Sequence, residues 1–301
     1  MSKKIKIAEI FHSIQGEGLF VGVSSVFIRT FGCNFKCAGF GMPLTPDGDH
    51  GDTVDLSTVA DDIAIKRKDH PEWTYSSLPL AETGCDSYAS WHPKFKDLSP
   101  MLTVDEIVNE VEIVRLEHEM AGPINGIKDT HIVITGGEPL LGWQRSYPEL
   151  LDKLAEAGYR NITFETNGTQ AIEDELYDYL MLNHISGKRL AITFSVSPKL
   201  SNSGEAMCDA CKPNIVDSYG QFGTVYLKFV VATARDVDDV RVFVHEYKRA
   251  GFDGEIYLMP VGGTSDVYKF NAAYVAELAM HNGYRYSSRL QVDLWKNAWG
   301  T

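Results

Sequence analysis

Helical and strand-like segments alternate regularly from about residue 103 onward, and this alternation constrains the fold more than any other feature. Residues 102–120 carry apolar side chains at three- and four-residue steps, which predicts an amphipathic helix. Thr103 and Glu106 have the spacing of a capping box at the start of that helix. The apolar run 131–135 then predicts a buried strand. Alternation of this kind predicts a parallel sheet with helices packed outside it.

The remaining segments follow the same pattern. Further strands are predicted at residues 25–30, 161–165, 190–195, 225–231, 255–259 and 286–292, and further helices at residues 147–157, 172–182, 237–250 and 267–281. About six or seven parallel strands suit an open or closed α/β barrel. Length alone suggests two domains, but α/β barrels of this size often form one. We therefore expect residues 1–301 to form a single barrel domain.

Residues 41–84 interrupt the alternation. This stretch is rich in Asp, Gly, Pro, Thr and Ser, and its helical pattern is limited to a short segment near residues 59–66. A long segment without sustained secondary structure is usually a functional loop or an insertion. We interpret this stretch as an insertion into the predicted barrel.

Net charge and cysteine usage exclude several classes of protein. The formal net charge of −13 argues against a general attraction to nucleic-acid phosphates and favours an enzyme with a small-molecule substrate. Five cysteines are too few for a secreted disulfide scaffold of this length, so we expect reduced thiols that serve as ligands. The N-terminus lacks the pattern of a signal peptide, and no apolar run approaches the ~20 residues that span a bilayer. These features predict a soluble, cytoplasmic protein.

Two cysteines directly follow the first predicted strand. Cys33 and Cys37 lie within residues 32–37, on what we expect to be a single loop. Thiolate sulfur binds iron, zinc or copper(I), and two cysteines on one turn can share a metal ion or a cluster. The alternative is a pair of buried apolar thiols without a ligand.

Polar groups end several of the predicted strands. Gly136, Gly137 and Glu138 follow the strand at residues 131–135, where two glycines would let a ligand approach the backbone and Glu138 would accept from a cation such as an amino group. Similar polar clusters end later strands, at residues 165–169, 195–199 and 259–263. Each cluster alone is compatible with an ordinary turn. Together they predict a shared pocket, because ligands of α/β folds bind at the carboxyl ends of the strands.

The opening segment is the most specific motif of the chain. Residues 9–18 (Glu-Ile-Phe-His-Ser-Ile-Gln-Gly-Glu-Gly), together with residues 26–29 and 32–34, resemble the N-terminal region of 7-carboxy-7-deazaguanine synthases. Residues 136–139 and 197–199 are similar to further motifs of that family. The resemblance covers residues 9–199 and is weaker beyond them. It implies a radical S-adenosylmethionine barrel with parallel strands, partial or modified from (β/α)6.

By resemblance, three cysteines hold a 4Fe–4S cluster. The superfamily motif is Cys-x3-Cys-x2-Cys, and Cys33 and Cys37 match its first two positions. The third position is occupied by Phe40. Residues 84–88 instead resemble the family's segment around its last cysteine, so Cys85 is the expected third ligand.

This assignment makes residues 38–84 an expanded cluster loop. We expect the expanded loop to shield the cluster.

The pair Cys208 and Cys211 offers another thiol site. A Cys-x2-Cys pair can bind zinc or join a second cluster, although two ligands complete neither, and a free pair is the alternative.

The resemblance also assigns roles to individual residues. Ser87 stands where the family has a threonine and keeps a hydroxyl for Mg²⁺ beside the substrate carboxylate. Gln15, Glu17 and Arg29 match positions that touch the pterin, and Thr301 is a further substrate candidate because the family's carboxyl terminus can approach the active site. The residues expected to bind S-adenosylmethionine are Gly136, Gly137, Glu138, Thr166, Asn167, Ser197 and Lys199.

The activity implied by the resemblance is the ring contraction of 6-carboxy-5,6,7,8-tetrahydropterin to 7-carboxy-7-deazaguanine with loss of ammonia. The cluster donates an electron to S-adenosylmethionine, and the resulting 5′-deoxyadenosyl radical takes a hydrogen from C6 of the pterin. Such a carbon–nitrogen lyase of queuosine-type biosynthesis implies an electron donor, such as flavodoxin or ferredoxin, and a homodimer. No direct binding of nucleic acid or membrane is expected, and the residues do not distinguish a product destined for tRNA from one destined for DNA.

Two alternatives stay open at the level of the sequence. Another enzyme of the superfamily, such as a glycyl-radical activase, would have a similar cluster motif but no use for Gln15, Glu17 or Ser87. A non-catalytic iron–sulfur or zinc module would bind metal and leave S-adenosylmethionine intact. Reductive cleavage of S-adenosylmethionine separates the second alternative from both enzymes.

Overall fold

A mixed sheet organises the computed structural model, which describes residues 2–41, 58–118, 128–185 and 190–301. Within these ranges the sheet has nine strands in the order β3-β1-β2-β4-β5-β6-β7-β8-β9. The strands are β1 (Lys4–Ile14), β2 (Ser24–Thr30), β3 (Met101–Thr103), β4 (His131–Gly136), β5 (Asn161–Thr166), β6 (Ala191–Val196), β7 (Thr224–Val231), β8 (Ile256–Pro260) and β9 (Arg285–Tyr286).

The strands from β2 to β9, apart from β3, run parallel to one another and follow the order of the chain. Strand β1 is antiparallel to both of its neighbours, β2 and β3. The α/β class and the parallel strands predicted from the alternation are therefore confirmed. Because parallel strands point the same way, the loops that follow β2 and β4 to β8 all leave from one edge of the sheet.

Helices connect the strands and cover the sheet. They are α1 (Thr58–Lys66), α2 (Val104–His118), α3 (Tyr147–Glu156), α4 (Asp174–Ile185), α5 (Met207–Ala210), α6 (Pro213–Tyr219), α7 (Ala234–Ala250), α8 (Ser265–Asn282) and α9 (Leu290–Trp295). The capping box of α2 is present, because the Glu106 N–H donates to Thr103 Oγ1 (3.2 Å) and the Thr103 N–H donates to the Glu106 carboxylate (2.7 Å). No helix in the described ranges has the length and apolar character needed to cross a bilayer.

The strand predicted at residues 286–292 is wrong. Strand β9 ends at Tyr286, and Leu290 begins α9. Polar contacts fix this segment. The Leu290 N–H donates to Gly16 O (3.0 Å), and Arg289 and Gln291 both bond the carboxylate of Glu17.

A second apolar cluster, here called the insertion core, lies beside the main core. It contains Tyr75, Leu78 and Ala81 of the insertion, packed with Tyr88, Phe95 and the partly buried Trp299. The short helix predicted near residues 59–66 is α1, and it contributes Ala60, Ile63 and Ala64 to the same cluster. The cluster also includes Ala8 of β1, so the described part of the insertion is anchored on the sheet.

Candidate active site

One cavity lies at the carboxyl edge of the parallel strands and is lined by residues at the ends of β2 and β4 to β8 or directly after them. Strand β1, the insertion and residues 297–301 complete its wall. The cavity brings together all of the predicted site residues except Glu138: Gln15, Glu17, Arg29, Cys33, Cys37, Cys85, Ser87, Gly136, Gly137, Thr166, Asn167, Ser197, Lys199 and Thr301. The shared pocket expected from the polar strand ends is thus present.

The three predicted thiol ligands reach this cavity from two segments. Cys33 and Cys37 follow β2, whereas Cys85 follows the insertion. Cys37 has a φ of 48°, a left-handed conformation that non-glycine residues rarely adopt. The N–H groups of Lys36 and Cys37 both donate to Glu205 Oε1 at 2.8 Å. Glu205 therefore stabilises the turn that presents Cys37, a role that the sequence pattern did not reveal.

Burial keeps these thiols protonated in the absence of a metal. It raises the pKa of Cys33 to about 12 and that of Cys85 to about 11, and it raises the pKa of Cys37 well above its ordinary value. Bound iron displaces thiol protons and compensates the thiolate charge, which removes this penalty. The described residues contain no group of three His, Cys, Asp or Glu side chains arranged for a single metal ion. A cluster binds each thiolate through a different iron, so its ligands lie farther apart, and three thiols around one cavity fit it.

The two glycines at the end of β4 are required by the close packing of the segment that carries the cysteines. A Cβ on Gly137 would lie 2.3 Å from Gly32 O and 2.8 Å from Cys33 Cβ. Gly136 has a φ of 149° and passes equally close to Thr30. The sequence suggested that these glycines make room for a ligand, and the structure shows that they also let two loop backbones pack together.

Glu138 lies behind the cavity wall. Its side chain is fully buried, and its carboxylate accepts from Thr166 Oγ1 and from the Asn167 N–H, both at 2.7 Å. The Leu140 N–H donates to the same carboxylate at 3.1 Å. Burial raises the pKa of Glu138, although these donors act against that shift. In this arrangement Glu138 holds the loop after β5, and its predicted contact with S-adenosylmethionine stays a prediction.

A buried ionic network surrounds Glu17. Lys228 Nζ donates to Glu17 Oε2 (2.5 Å), and Arg289 Nε (3.0 Å) and Gln291 Nε2 (2.8 Å) donate to Oε1. Arg289 also donates to Asp86 Oδ2 (2.5 Å) and to Gly262 O. Burial alone would raise the pKa of Glu17, but the charges of Lys228 and Arg289 outweigh it and hold that pKa well below the ordinary value. The carboxylate is therefore ionised and fixed in position.

Sequence reasoning missed Lys228, Arg289 and Gln291. Lys228 carries a recognisable signal, because it is a single cation within the apolar strand β7, and a buried charge requires a partner. Arg289 and Gln291 lie in the segment that the pattern assigned to a strand, where their side chains had no distinct role.

Arg29 lies between the predicted magnesium residue and an acidic residue of β1. Its Nη1 donates to Ser87 Oγ (3.1 Å), and its Nε lies 3.5 Å from Glu9 Oε2. Ser87 Oγ in turn donates to Asp86 Oδ1 (3.2 Å). A guanidinium, a hydroxyl and two carboxylates thus meet on one wall of the cavity, and Glu9 and Asp86 were not predicted.

Hydrogen bonds of ordinary length hold several other predicted site residues in place. Gln15 Nε2 donates to Glu165 Oε1 (3.1 Å), which also places Glu165 at the site. Lys199 Nζ donates to Ser197 Oγ (3.2 Å) after β6. Asn167 Nδ2 donates to Asn34 Oδ1 (2.9 Å) and so links the loop after β5 to the cysteine loop.

Cys208 and Cys211 lie apart from the cavity lining, on and directly after the short helix α5. Cys208 is exposed and Cys211 is half-buried. Among the described residues, the thiols that share the cavity are therefore Cys33, Cys37 and Cys85.

Known proteins resemble this chain over nearly its whole length. It is 32% identical over 304 residues to a 7-carboxy-7-deazaguanine synthase of Halobacterium salinarum, an alignment that covers 98% of this chain and 91% of the relative. It is 26% identical to the synthase of the same name from Pyrobaculum aerophilum, with 99% of this chain and 97% of the relative covered. No family model matches the sequence.

The fold is similar to that of QueE from Escherichia coli, whose crystal structure superposes with a TM-score of 0.51 at 19% identity. The superposition covers 94% of this chain and 93% of that protein. The identity, the coverage on both sides and the shared fold lead to one conclusion: this chain belongs to the 7-carboxy-7-deazaguanine synthase family.

Proposed function

We propose that this chain converts 6-carboxy-5,6,7,8-tetrahydropterin to 7-carboxy-7-deazaguanine with release of ammonia, as a radical S-adenosylmethionine enzyme. The observation that carries the proposal is the composition of the cavity. Three thiols, of which Cys37 is buried and Cys33 and Cys85 are partly buried, share it with a fixed carboxylate, a guanidinium and a hydroxyl. A cluster site, a cofactor site and a site for a charged pterin are all needed for this reaction, and this cavity has side chains suited to each.

Cys33, Cys37 and Cys85 would hold a 4Fe–4S cluster. When bound, such a cluster supplies the electron that cleaves S-adenosylmethionine. Burial raises the pKa of all three thiols, so the metal-free protein keeps them protonated and iron would displace those protons on binding. We propose that Gly136, Gly137, Thr166, Asn167, Ser197 and Lys199 bind S-adenosylmethionine beside them.

Arg29 is suited to bind the substrate carboxylate, because its guanidinium faces the cavity and can form a bidentate pair. Ser87 Oγ and Asp86 Oδ1 lie 3.2 Å apart and form an oxygen pair that suits Mg²⁺. The substrate carboxylate would complete such a site, since two protein oxygens are too few for this cation.

Glu17 is suited to the amino-substituted edge of the pterin. Three donors already hold its carboxylate, and an ionised carboxyl group has about four acceptor positions, so one position remains for a substrate N–H. Lys228 and Arg289 keep Glu17 ionised and prevent it from rotating. The cost of orienting this group is thereby met in the folded protein rather than during binding.

The test is anaerobic. The protein is reconstituted with iron and sulfide, iron is counted per chain, and S-adenosylmethionine, Mg²⁺, a reductant and the carboxypterin are supplied. Product is expected from the wild type and from Cys208→Ala/Cys211→Ala, which serves as the matched thiol control. Cys85→Ala is expected to lose both iron and turnover. A working cluster in Cys85→Ala would remove Cys85 from the ligand set, and a loaded wild type that makes no product would refute the proposed activity.

The electron donor is proposed to be a small one-electron carrier such as flavodoxin or ferredoxin, because the cluster must be reduced from outside the chain. The homodimer stays a prediction that rests on the resemblance, and the cytoplasmic location stays a prediction that rests on sequence composition and pattern.

A further inference from the structure

We propose that the insertion positions residues 296–301, here called the closing segment, against the substrate side of the cavity. The consequence for catalysis rests on the proposed function, whereas the positioning itself does not. The sequence suggested a different role for the insertion, the shielding of the cluster. The contacts of Tyr75, Leu78 and Ala81 favour the positioning role.

The closing segment lies at the residues expected to bind the pterin. After α9 the chain turns sharply, because Lys296 and Asn297 have φ values of 56° and 61°. Residues 297–301 then line the cavity. A Cβ on Gly300 would lie 3.6 Å from Glu9 Oε1, and Glu9 pairs with Arg29. The closing segment is therefore adjacent to the guanidinium proposed to bind the substrate carboxylate.

In the described part of the chain, two side-chain hydrogen bonds tie the closing segment to residues outside 290–301. Trp299 Nε1 donates to Leu78 O (2.7 Å), and Asn297 Nδ2 donates to Gly263 O (2.9 Å). The Tyr75 ring packs edge-to-face on Trp299, with 5.0 Å between ring centroids. The first anchor is thus made by the insertion.

The second anchor also depends on the insertion. Gly263 follows β8, and a Cβ built on it would lie 2.7 Å from Ala81 O. The insertion backbone therefore packs directly on the loop whose carbonyl holds Asn297. Phe40, Leu80 and Gly84 of the expanded loop line the cavity as well. Residues 75–81 thus contribute to both attachments of the closing segment, and Tyr88 also packs edge-to-face on Trp299 with 5.9 Å between ring centroids.

The decisive variant is Tyr75→Ala, which removes the ring against Trp299 but lies outside the cavity lining. We expect amide hydrogen exchange in residues 296–301 to become faster. We also expect KM for the carboxypterin to rise about 3- to 10-fold, the range that corresponds to loss of one aromatic pair. Iron per chain, the rate of cluster loss in air and kcat are expected to stay within about twofold of the wild type.

Two control variants separate the ring from other effects. Trp73→Ala removes an even larger aromatic side chain of the insertion, one that stacks on His70 rather than on Trp299, and it should leave KM unchanged. Tyr75→Phe keeps the ring and loses a hydroxyl that has no hydrogen-bond partner among the described residues, so it should restore the wild-type KM. If Tyr75→Phe is as damaging as Tyr75→Ala, the hydroxyl beside Arg29 is responsible and the proposal is wrong.

Other results would also overturn the proposal. If Tyr75→Ala loses iron faster in air while KM and exchange are unchanged, the insertion shields the cluster instead. If Tyr75→Ala does not fold, Trp299→Phe removes the hydrogen bond to Leu78 O and keeps a smaller aromatic ring, and unchanged exchange in residues 296–301 would refute the positioning role. A loaded wild type that makes no product refutes the proposed function, and the exchange measurement then still decides whether the insertion holds the closing segment.

Discussion

Replacing Lys228 by methionine should destabilise the protein strongly, because it leaves a buried carboxylate short of a cation. Lys228 is 5% exposed and donates to Glu17 Oε2 at 2.5 Å. Removal of one partner from a buried pair costs about 3–5 kcal/mol. Glu17 keeps Arg289 and Gln291, so we expect the lower end, about 3 kcal/mol. For a chain of this size that corresponds to a fall in Tm of about 5–10 °C.

The assay is thermal unfolding of the metal-free protein, followed by circular dichroism at one fixed scan rate. The control is the double variant Glu17→Gln/Lys228→Met, which removes both charges and keeps a side-chain oxygen for Arg289. We expect the double variant to recover about half of the lost stability, since neither charge is left without its partner. A single variant within about 2 °C of the wild type, or a double variant as unstable as the sum of its parts, would show that the pair contributes little.

The pH dependence gives an independent check. In the wild type the pKa of Glu17 is depressed, so its contribution to stability is present above the unfolded value and is lost as the pH falls through the folded value. In Lys228→Met the pKa of Glu17 rises, because burial still favours the neutral carboxyl group and only Arg289 remains as a cation that favours the ionised form. Protonation of Glu17 then relieves the unpaired charge, so the stability difference between variant and wild type should shrink as the pH falls through the raised pKa of Glu17 in the variant. A difference that grows as the pH falls would contradict this account of the network.

Further predictions concern the cysteine loop and a buried histidine. Glu205→Ala should lower iron per chain after reconstitution, because two N–H groups of the Cys37 turn lose their acceptor, whereas Glu205→Gln keeps an acceptor and should load normally. Gly137→Ala should also impair loading, since its Cβ would displace Cys33, and iron analysis of the soluble protein measures both effects. Burial lowers the pKa of His131 to about 4, so wild-type stability should fall as the pH drops from about 6.5 towards 4. In His131→Asn this slope should be smaller in chemical unfolding at matched pH values.

The sequence pattern identified the elements that have a continuous apolar run, a helical apolar periodicity or a capping motif at one end. Strand β4 and helix α2 are recognisable from an apolar run and from the Thr103 capping box. Strand β1 was missed, because charged and polar residues interrupt its apolar ones and its pairing is antiparallel to β2. Pairing between distant segments leaves no trace in local periodicity.

The candidate site shows the same limit. Motifs located the thiols and the strand-end residues, because these residue types are chemically distinctive. The partners of Glu17 come from β7 and from residues 289–291, more than 200 positions away in the chain. Only the folded chain brings Lys228 and Arg289 to that carboxylate. Glu138 is the opposite case: it belongs to a sequence motif, but its side chain contacts the loop after β5 rather than the cavity.

Among the described charged residues that line the cavity, Lys199 differs from the other cations because it forms no ion pair with a lining carboxylate. The described lining contains four carboxylates and four cations: Glu9, Glu17, Asp86, Glu165, Arg29, Lys199, Lys228 and Arg289. Arg29, Lys228 and Arg289 each form an ion pair with a lining carboxylate. Among the described residues, Lys199 forms no such pair, and its charge acts on all three thiols. Three thiolates on the proposed cluster would bring negative charge to this part of the lining. Lys199 is the lining cation that would compensate that charge, in addition to its expected contact with S-adenosylmethionine.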